Sequence, residues 1–265
     1  MLINDKKNLP IGFFDSGVGG LSVLAKFRKR LPSENVVYFG DTIHLPYGNK
    51  TKEELVMYAK NILNFMNNKP VKAVVIACNT SSAQAYDIVK NDYSFPIYPI
   101  IQSCAKSICA LNYKRVGVFA TEATVNSGKY TSEFKKYNSD IKIKELPSKN
   151  WVSIVENVGE NIEPKRANIK YEIQEMMRFK PDKIILGCTH YPYLMNEFVK
   201  YAPKDIFIDP SDIFTDFIKK DLEMNNLLNP NKNQGYEEFY VSSNPNEFVK
   251  NAKIFYNVIS TPILV

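Results

Sequence analysis

Two segments of this chain share one build, and each delivers a cysteine. Val74-Val75-Ile76-Ala77-Cys78-Asn79-Thr80 and Ile184-Ile185-Leu186-Gly187-Cys188-Thr189-His190 each run from apolar residues through a small residue to a thiol followed by polar groups. Such a run reads as a buried strand whose C-terminal end carries its cysteine into a strand-to-helix turn. Open α/β sheets hold their ligands at that edge. Two thiols from two equivalent turns suit inversion of a carbon centre, in which a base takes a proton from one face and an acid returns one to the other.

The rest of the sequence supports the same architecture. Strands are expected at Ile11–Phe14, Val36–Phe39, Val71–Ala77, Ile97–Pro99, Arg115–Ala120, Ile141–Glu145, Lys183–Leu186 and Ile206–Ile208. Between them, stretches such as Lys52–Asn67 and Lys165–Arg178 carry apolar residues near a 3.6-residue spacing. This alternation predicts an α/β fold with mainly parallel sheets flanked by helices.

The chain also resembles itself. Ile11-Gly12-Phe13-Phe14-Asp15-Ser16 aligns with Val116-Gly117-Val118-Phe119-Ala120-Thr121, and Cys78 and Cys188 follow Gly12 and Gly117 by 66 and 71 positions. Strand vocabularies are small, so chance likeness is the competing explanation. We expect two similar domains, one of residues 1–100 plus 206–265 on the Cys78 side and one of residues 101–205 on the Cys188 side. The late Phe/Tyr-rich segment Tyr236–Val241 is expected to pack back on the first.

Composition excludes several classes. A chain of 265 residues, 45% hydrophobic and 23% charged, buries a core without staples. Its charge of +6 is spread along the chain, and the small cluster Lys26–Arg30 reads as a solvated helix face, so no nucleic-acid partner is expected. The four cysteines form no C-x-x-C pair and there are two histidines, so no metal site is expected. No run approaches a membrane span, and residues 1–10 lack a signal-peptide core, which points to a cytoplasmic protein with reduced thiols.

Phe14-Asp15-Ser16-Gly17-Val18-Gly19-Gly20-Leu21, Gly40-Asp41-Thr42 with Pro46-Tyr47-Gly48, Ala77-Cys78-Asn79-Thr80, Ala120-Thr121-Glu122-Ala123-Thr124-Val125 and Gly187-Cys188-Thr189-His190-Tyr191-Pro192 resemble, in order, the signatures of the glutamate racemase family. The likeness covers nearly the whole chain. It implies cofactor-independent interconversion of L- and D-glutamate in a cleft between two α/β domains, a role in supplying D-glutamate for peptidoglycan, and a homodimer. Met1–Leu9 is shorter than the N-terminal extension of some regulated relatives.

Carried over by position, the resemblance makes Cys78 the base for D-glutamate and Cys188 the base for L-glutamate. Asp15 and His190 would assist their neighbouring cysteines. Glu156 would match the acidic residue the family keeps near its second cysteine, although Leu146-Pro147 stands where that family has Cys-Pro. Asp15 could equally cap a helix, His190 could be a turn residue and Glu156 a surface residue. Ser16, Pro46, Tyr47, Gly48, Asn79, Thr80, Thr121 and Thr189, with Asp15 and His190, match substrate-contacting positions, suited to a zwitterion held by many short hydrogen bonds. His44 is expected in a structural or rim role, and Cys104 and Cys109 as packing residues. Aspartate racemase, hydantoin racemase and a non-catalytic amino-acid-binding module are the competing readings; Thr-His after the second cysteine favours glutamate over aspartate.

Overall fold

The computed structural model describes residues 6–148, 150–156 and 163–265. Among the described residues ten strands form two sheets: β1 (Ile11–Asp15), β2 (Val36–Gly40), β3 (Ala73–Ile76), β4 (Ile97–Pro99), β5 (Arg115–Ala120), β6 (Lys142–Pro147), β7 (Lys183–Gly187), β8 (Phe207–Ile208), β9 (Glu237–Val241) and β10 (Ile263–Leu264). The first sheet runs β10-β9-β2-β1-β3-β4 and the second β6-β5-β7-β8. Every pairing is parallel. Strands with helices on both faces are buried on both faces, which is why β1, β2 and β3 read as unbroken apolar runs.

The orders β2-β1-β3-β4 and β6-β5-β7-β8 have the same topology. In both, the central strand is the one whose sequence aligns across the halves, and the cysteine follows the third strand. Register brings the strand ends together: Asp15 pairs with Gly40, while Ala120 pairs with both Pro147 and Gly187. All the turns that follow therefore open on one edge of their sheet.

The second sheet is an insertion. The chain crosses into it at the helix Ile100–Cys109 and returns through the helix Pro210–Met224. These crossings touch, since the Cys104 thiol donates to the Pro210 carbonyl at 3.4 Å. One boundary differs from expectation. Phe207 and Ile208 hydrogen-bond β7, so they close the second sheet rather than opening the returning 206–265 segment. The strand itself was expected, but its partner was not, and the neighbouring proline marked the turn before β8 instead of the crossing after it. Tyr236–Val241 returns as expected, with β9 alongside β2.

The Lys26–Arg30 cluster also departs from expectation. It ends the helix Leu21–Arg30, but Arg28 is buried, pairs with Glu237 and donates to the carbonyls of Pro32 and Tyr236. Lys26 and Arg30 pair with Asp212. The basic residues thus tie this helix to returning C-terminal elements. Cys104 and Cys109 lie buried on their helix. Among the described residues no helix is long and apolar enough to cross a membrane.

Candidate active site

A cavity of about 590 Å³ lies where the strand ends of the two sheets meet, a volume ordinary for a small-molecule site. Cys78 reaches it from the first sheet and Cys188 from the second. Of the residues singled out in the sequence, Ser16, Pro46, Tyr47, Gly48, Asn79, Thr80, Thr121, Thr189, His190 and Glu156 also line it.

Cys78 caps the short helix Asn79–Gln84, its sulfur 3.5 Å from the Ser81 N–H. Burial pushes this thiol up to about 12, with the nearby Asp15 charge acting in the same direction and the Ser81 N–H opposing both. Asp15 does not line the cavity. It is wholly buried behind it, where Oδ1 accepts the Gly17 N–H at 3.1 Å while Oδ2 has no hydrogen-bond partner. Burial raises the Asp15 carboxyl, against the attraction of His190. A side chain that ends β1 points inward once the loop after it turns back, and that loop is not readable from strand periodicity.

Cys188 has different company. Its Sγ lies 3.7 Å from His190 Nδ1, and His190 Nε2 lies 3.0 Å from Glu156 Oε1. Burial disfavours a charged imidazole, but the hydrogen bonds to Cys188 and Glu156 outweigh it and lift His190 to about 10. Phe255, from the C-terminal segment, packs edge-on against the ring at 5.4 Å between centroids. The loop Gly17–Gly20 covers His190 so closely that a β-carbon on Gly19 would stand 2.3 Å from Thr189 Oγ1. Glycine there is required by close approach.

Hydroxyl and amide groups join the lobes beside the thiols. Thr121 Oγ1 lies 2.9 Å from both Thr80 Oγ1 and Thr124 Oγ1, Tyr130 donates to Asn79 Oδ1 at 2.7 Å, and Gln84 Nε2 donates to the Ala123 carbonyl at 2.6 Å. The Tyr47 hydroxyl donates to buried Asp41, which also holds His44 Nδ1 at 2.8 Å and the Ser242 hydroxyl at 2.8 Å. His44 stacks on Tyr58 at 3.8 Å between centroids and does not line the cavity, so its role is structural.

No lysine or arginine lines the cavity among the described residues; its charged or titratable side chains are Tyr47, Glu122, Glu156, His190 and the two thiols. An anionic ligand would be held by backbone N–H groups at the helix starts and by hydroxyls. Among the described residues no cluster of three or more His, Cys, Asp and Glu side chains is placed to hold a metal ion.

Sequence reasoning missed the wall made by Pro147, Ser148, Asn150, Val152 and Ser153. The available signal was topological. β6 pairs with β5 in parallel, so the residues after Pro147 must emerge beside Thr121. The Leu146-Pro147 departure from the expected pattern obscured it.

These features define a class: a two-lobed α/β protein that presents one cysteine from each lobe to a single cavity, with proton-carrying side chains around each. A sequence profile described as Asp/Glu/Hydantoin racemase matches residues 21–217. The chain is 39% identical over 249 residues to a glutamate racemase of Caldanaerobacter subterraneus, covering 92% of each, and 34% identical over 252 residues to that of a Picosynechococcus species, covering 95% of this chain and 90% of the relative. The structure superposes on the crystal structure of Francisella tularensis glutamate racemase in complex with D-glutamate with a TM-score of 0.90, 33% identity and 98% coverage of each chain. The chain belongs to the Asp/Glu/hydantoin racemase family.

Proposed function

We propose that this protein is a glutamate racemase that interconverts L- and D-glutamate by two-thiol proton transfer without a cofactor. The observation that carries the proposal is that both thiols, each following the third strand of topologically matched sheets, line one cavity. The D-glutamate bound to the structurally similar Francisella enzyme supports the substrate.

Abstraction of an α-proton with no electron sink needs a pre-arranged, largely dry site that stabilises the developing carbanion. Here Cys188, with His190 as its proton partner, takes the α-proton of L-glutamate, and Cys78 delivers one to the opposite face; D-glutamate runs the reverse. Asp15 supports Cys78, since a protonated Asp15 removes the charge that disfavours its thiolate. Ser16, Asn79, Thr80, Thr121 and Thr189 hold the zwitterion through neutral hydrogen bonds, with Pro46, Tyr47 and Gly48 closing the rim. Residues 1–100 with 209–265, and 101–208, act as the two lobes. Supply of D-glutamate for peptidoglycan in the cytoplasm, and a homodimeric state, complete the proposal; light scattering tests the last.

The test is proton NMR of L-glutamate with the purified protein in D2O, alongside optical rotation and a parallel sample of L-aspartate. Loss of the glutamate α-proton signal together with rotation is the expected result. Exchange of aspartate alone would move the substrate to aspartate, and no exchange of either would leave an amino-acid-binding protein.

A further inference from the structure

A second cavity of about 650 Å³ lies on the far side of Glu156, lined by Val18, Thr42, Leu45 and the helix Pro245–Ala252 with its flanks. Glu156 and Leu45 line both cavities. The Glu156 side chain is 25% exposed, whereas His190 beside it is 3% exposed. A row of hydrogen-bonding atoms therefore runs from the Cys188 sulfur through Nδ1 and Nε2 of His190 to a carboxylate that borders a second space besides the substrate cavity.

Two-thiol inversion leaves the enzyme in the wrong protonation state. After L-glutamate becomes D-glutamate, the Cys188–His190 pair holds one proton too many and Cys78 one too few. Both must be corrected before the next turnover in that direction. Cys78 meets water through the substrate cavity, and behind it stands Asp15, which is wholly buried.

Resting on the racemase reading, we propose that the second cavity is the solvent port for the Cys188 proton, with Glu156 as its relay. The His190 Nε2–H passes its proton to Glu156 Oε1, and Glu156 releases it to water in the second cavity. The proton count of the Cys188–His190 pair is then restored, and the remaining protons redistribute between sulfur and ring. In the D-to-L direction water protonates Glu156, and the steps reverse.

The port has a kinetic signature. When L- and D-glutamate are both far above saturation, recycling of the free enzyme limits the rate, and the interconversion rate falls as total glutamate rises. Glu156→Gln keeps the shape of the side chain but carries no proton, and Glu156→Ala opens room for a small carboxylate. Asn251→Phe plugs the second cavity without touching the relay, since Asn251 lines only that space.

The experiment follows progress curves by polarimetry from low to oversaturating glutamate, with formate from zero to high concentration. Both Glu156 variants are expected to lose rate, by about 10²-fold or more at oversaturating substrate, the lower end of what one proton-transfer group contributes. Formate should restore Glu156→Ala in proportion to its concentration, with a solvent deuterium isotope effect. Asn251→Phe should match the native enzyme at low substrate, fall behind at high substrate, and block formate rescue when combined with Glu156→Ala. Equal losses at all substrate concentrations with no formate response would overturn the port and leave Glu156 as a fixed partner of His190. Native-like progress curves for the Glu156 variants would overturn it as well. Failure of the native protein to racemise glutamate at all would instead remove the function on which the port rests.

Discussion

A β-carbon added to Gly19 would stand 2.4 Å from Cε1 of His190, although the two residues belong to turns of different sheets. The glycine loop of the first lobe is thus the surface against which the imidazole of the second is set. Gly19→Ala should push His190 and Thr189 aside while leaving both sheets intact. A displacement of about 1 Å at a catalytic group costs on the order of 10²-fold in rate, so kcat/KM should fall by about that factor. The melting temperature should change little, and a parallel loss of both would show that the loop is a folding element instead.

The two thiols should be individually indispensable. Cys78→Ser and Cys188→Ser are each expected to lower racemisation by about 10³-fold, the middle of the range for a positioned acid or base. Circular dichroism should report native folds. Equal turnover by either variant would sink the two-thiol mechanism.

His190 should make stability depend on alkaline pH. Its ordinary value is 6.5 and its folded value about 10. A group raised on folding contributes stability fully present below the unfolded value and lost as pH rises through the folded one. The difference in denaturation midpoint between the native protein and His190→Asn should therefore shrink between pH 6.5 and 10. A constant difference across that window would show that the ring is held neutral.

Asp15 should show the opposite balance between stability and function. Burial raises its carboxyl, so the charged form costs stability above the ordinary carboxylate range, and that cost disappears as the pH falls. Asp15→Asn should raise the melting temperature at pH 7 by a few degrees, the scale of roughly 1 kcal/mol for a chain of this size. The gain should vanish near pH 3, while activity drops at every pH. A lower melting temperature at pH 7 would mean that the hydrogen bond from the Gly17 N–H outweighs burial.

Thr121 joins the lobes and caps a helix, its hydroxyl accepting the Thr124 N–H at 3.4 Å and lying 2.9 Å from Thr80 Oγ1. Thr121→Val should cost about 1 kcal/mol for the lost cap and raise KM more than it lowers kcat. Steady-state kinetics against chemical denaturation separates the two effects.

How much of this was legible in sequence depended on whether the signal was local. Cys78 and Cys188 stood out because a strand buried on both faces writes itself as an apolar run, and the thiol breaks it. The repeated topology was visible for the same reason, through the match of β1 with β5. The strand Phe207–Ile208 was legible, but it was given to the wrong sheet because its pairing with β7 is a long-range contact that no local pattern records. The Pro147–Ser153 wall and the closeness of Gly19 to His190 were invisible because they arise from sheets meeting across long sequence separations. Arg28 was misread because its partners, Tyr236 and Glu237, lie two hundred residues away.

The chain enters the second sheet at Ile100 and leaves it at Pro210, and those two crossings lie side by side. Both covalent links between the lobes thus sit at one place, and away from it the lobes are joined by side chains such as Thr80 against Thr121 and Gln84 against the Ala123 carbonyl. The chain path alone therefore does not set the distance between the Cys78 and Cys188 sulfurs. Those side-chain contacts set it too, and a change at any of them bears on both halves of the reaction together.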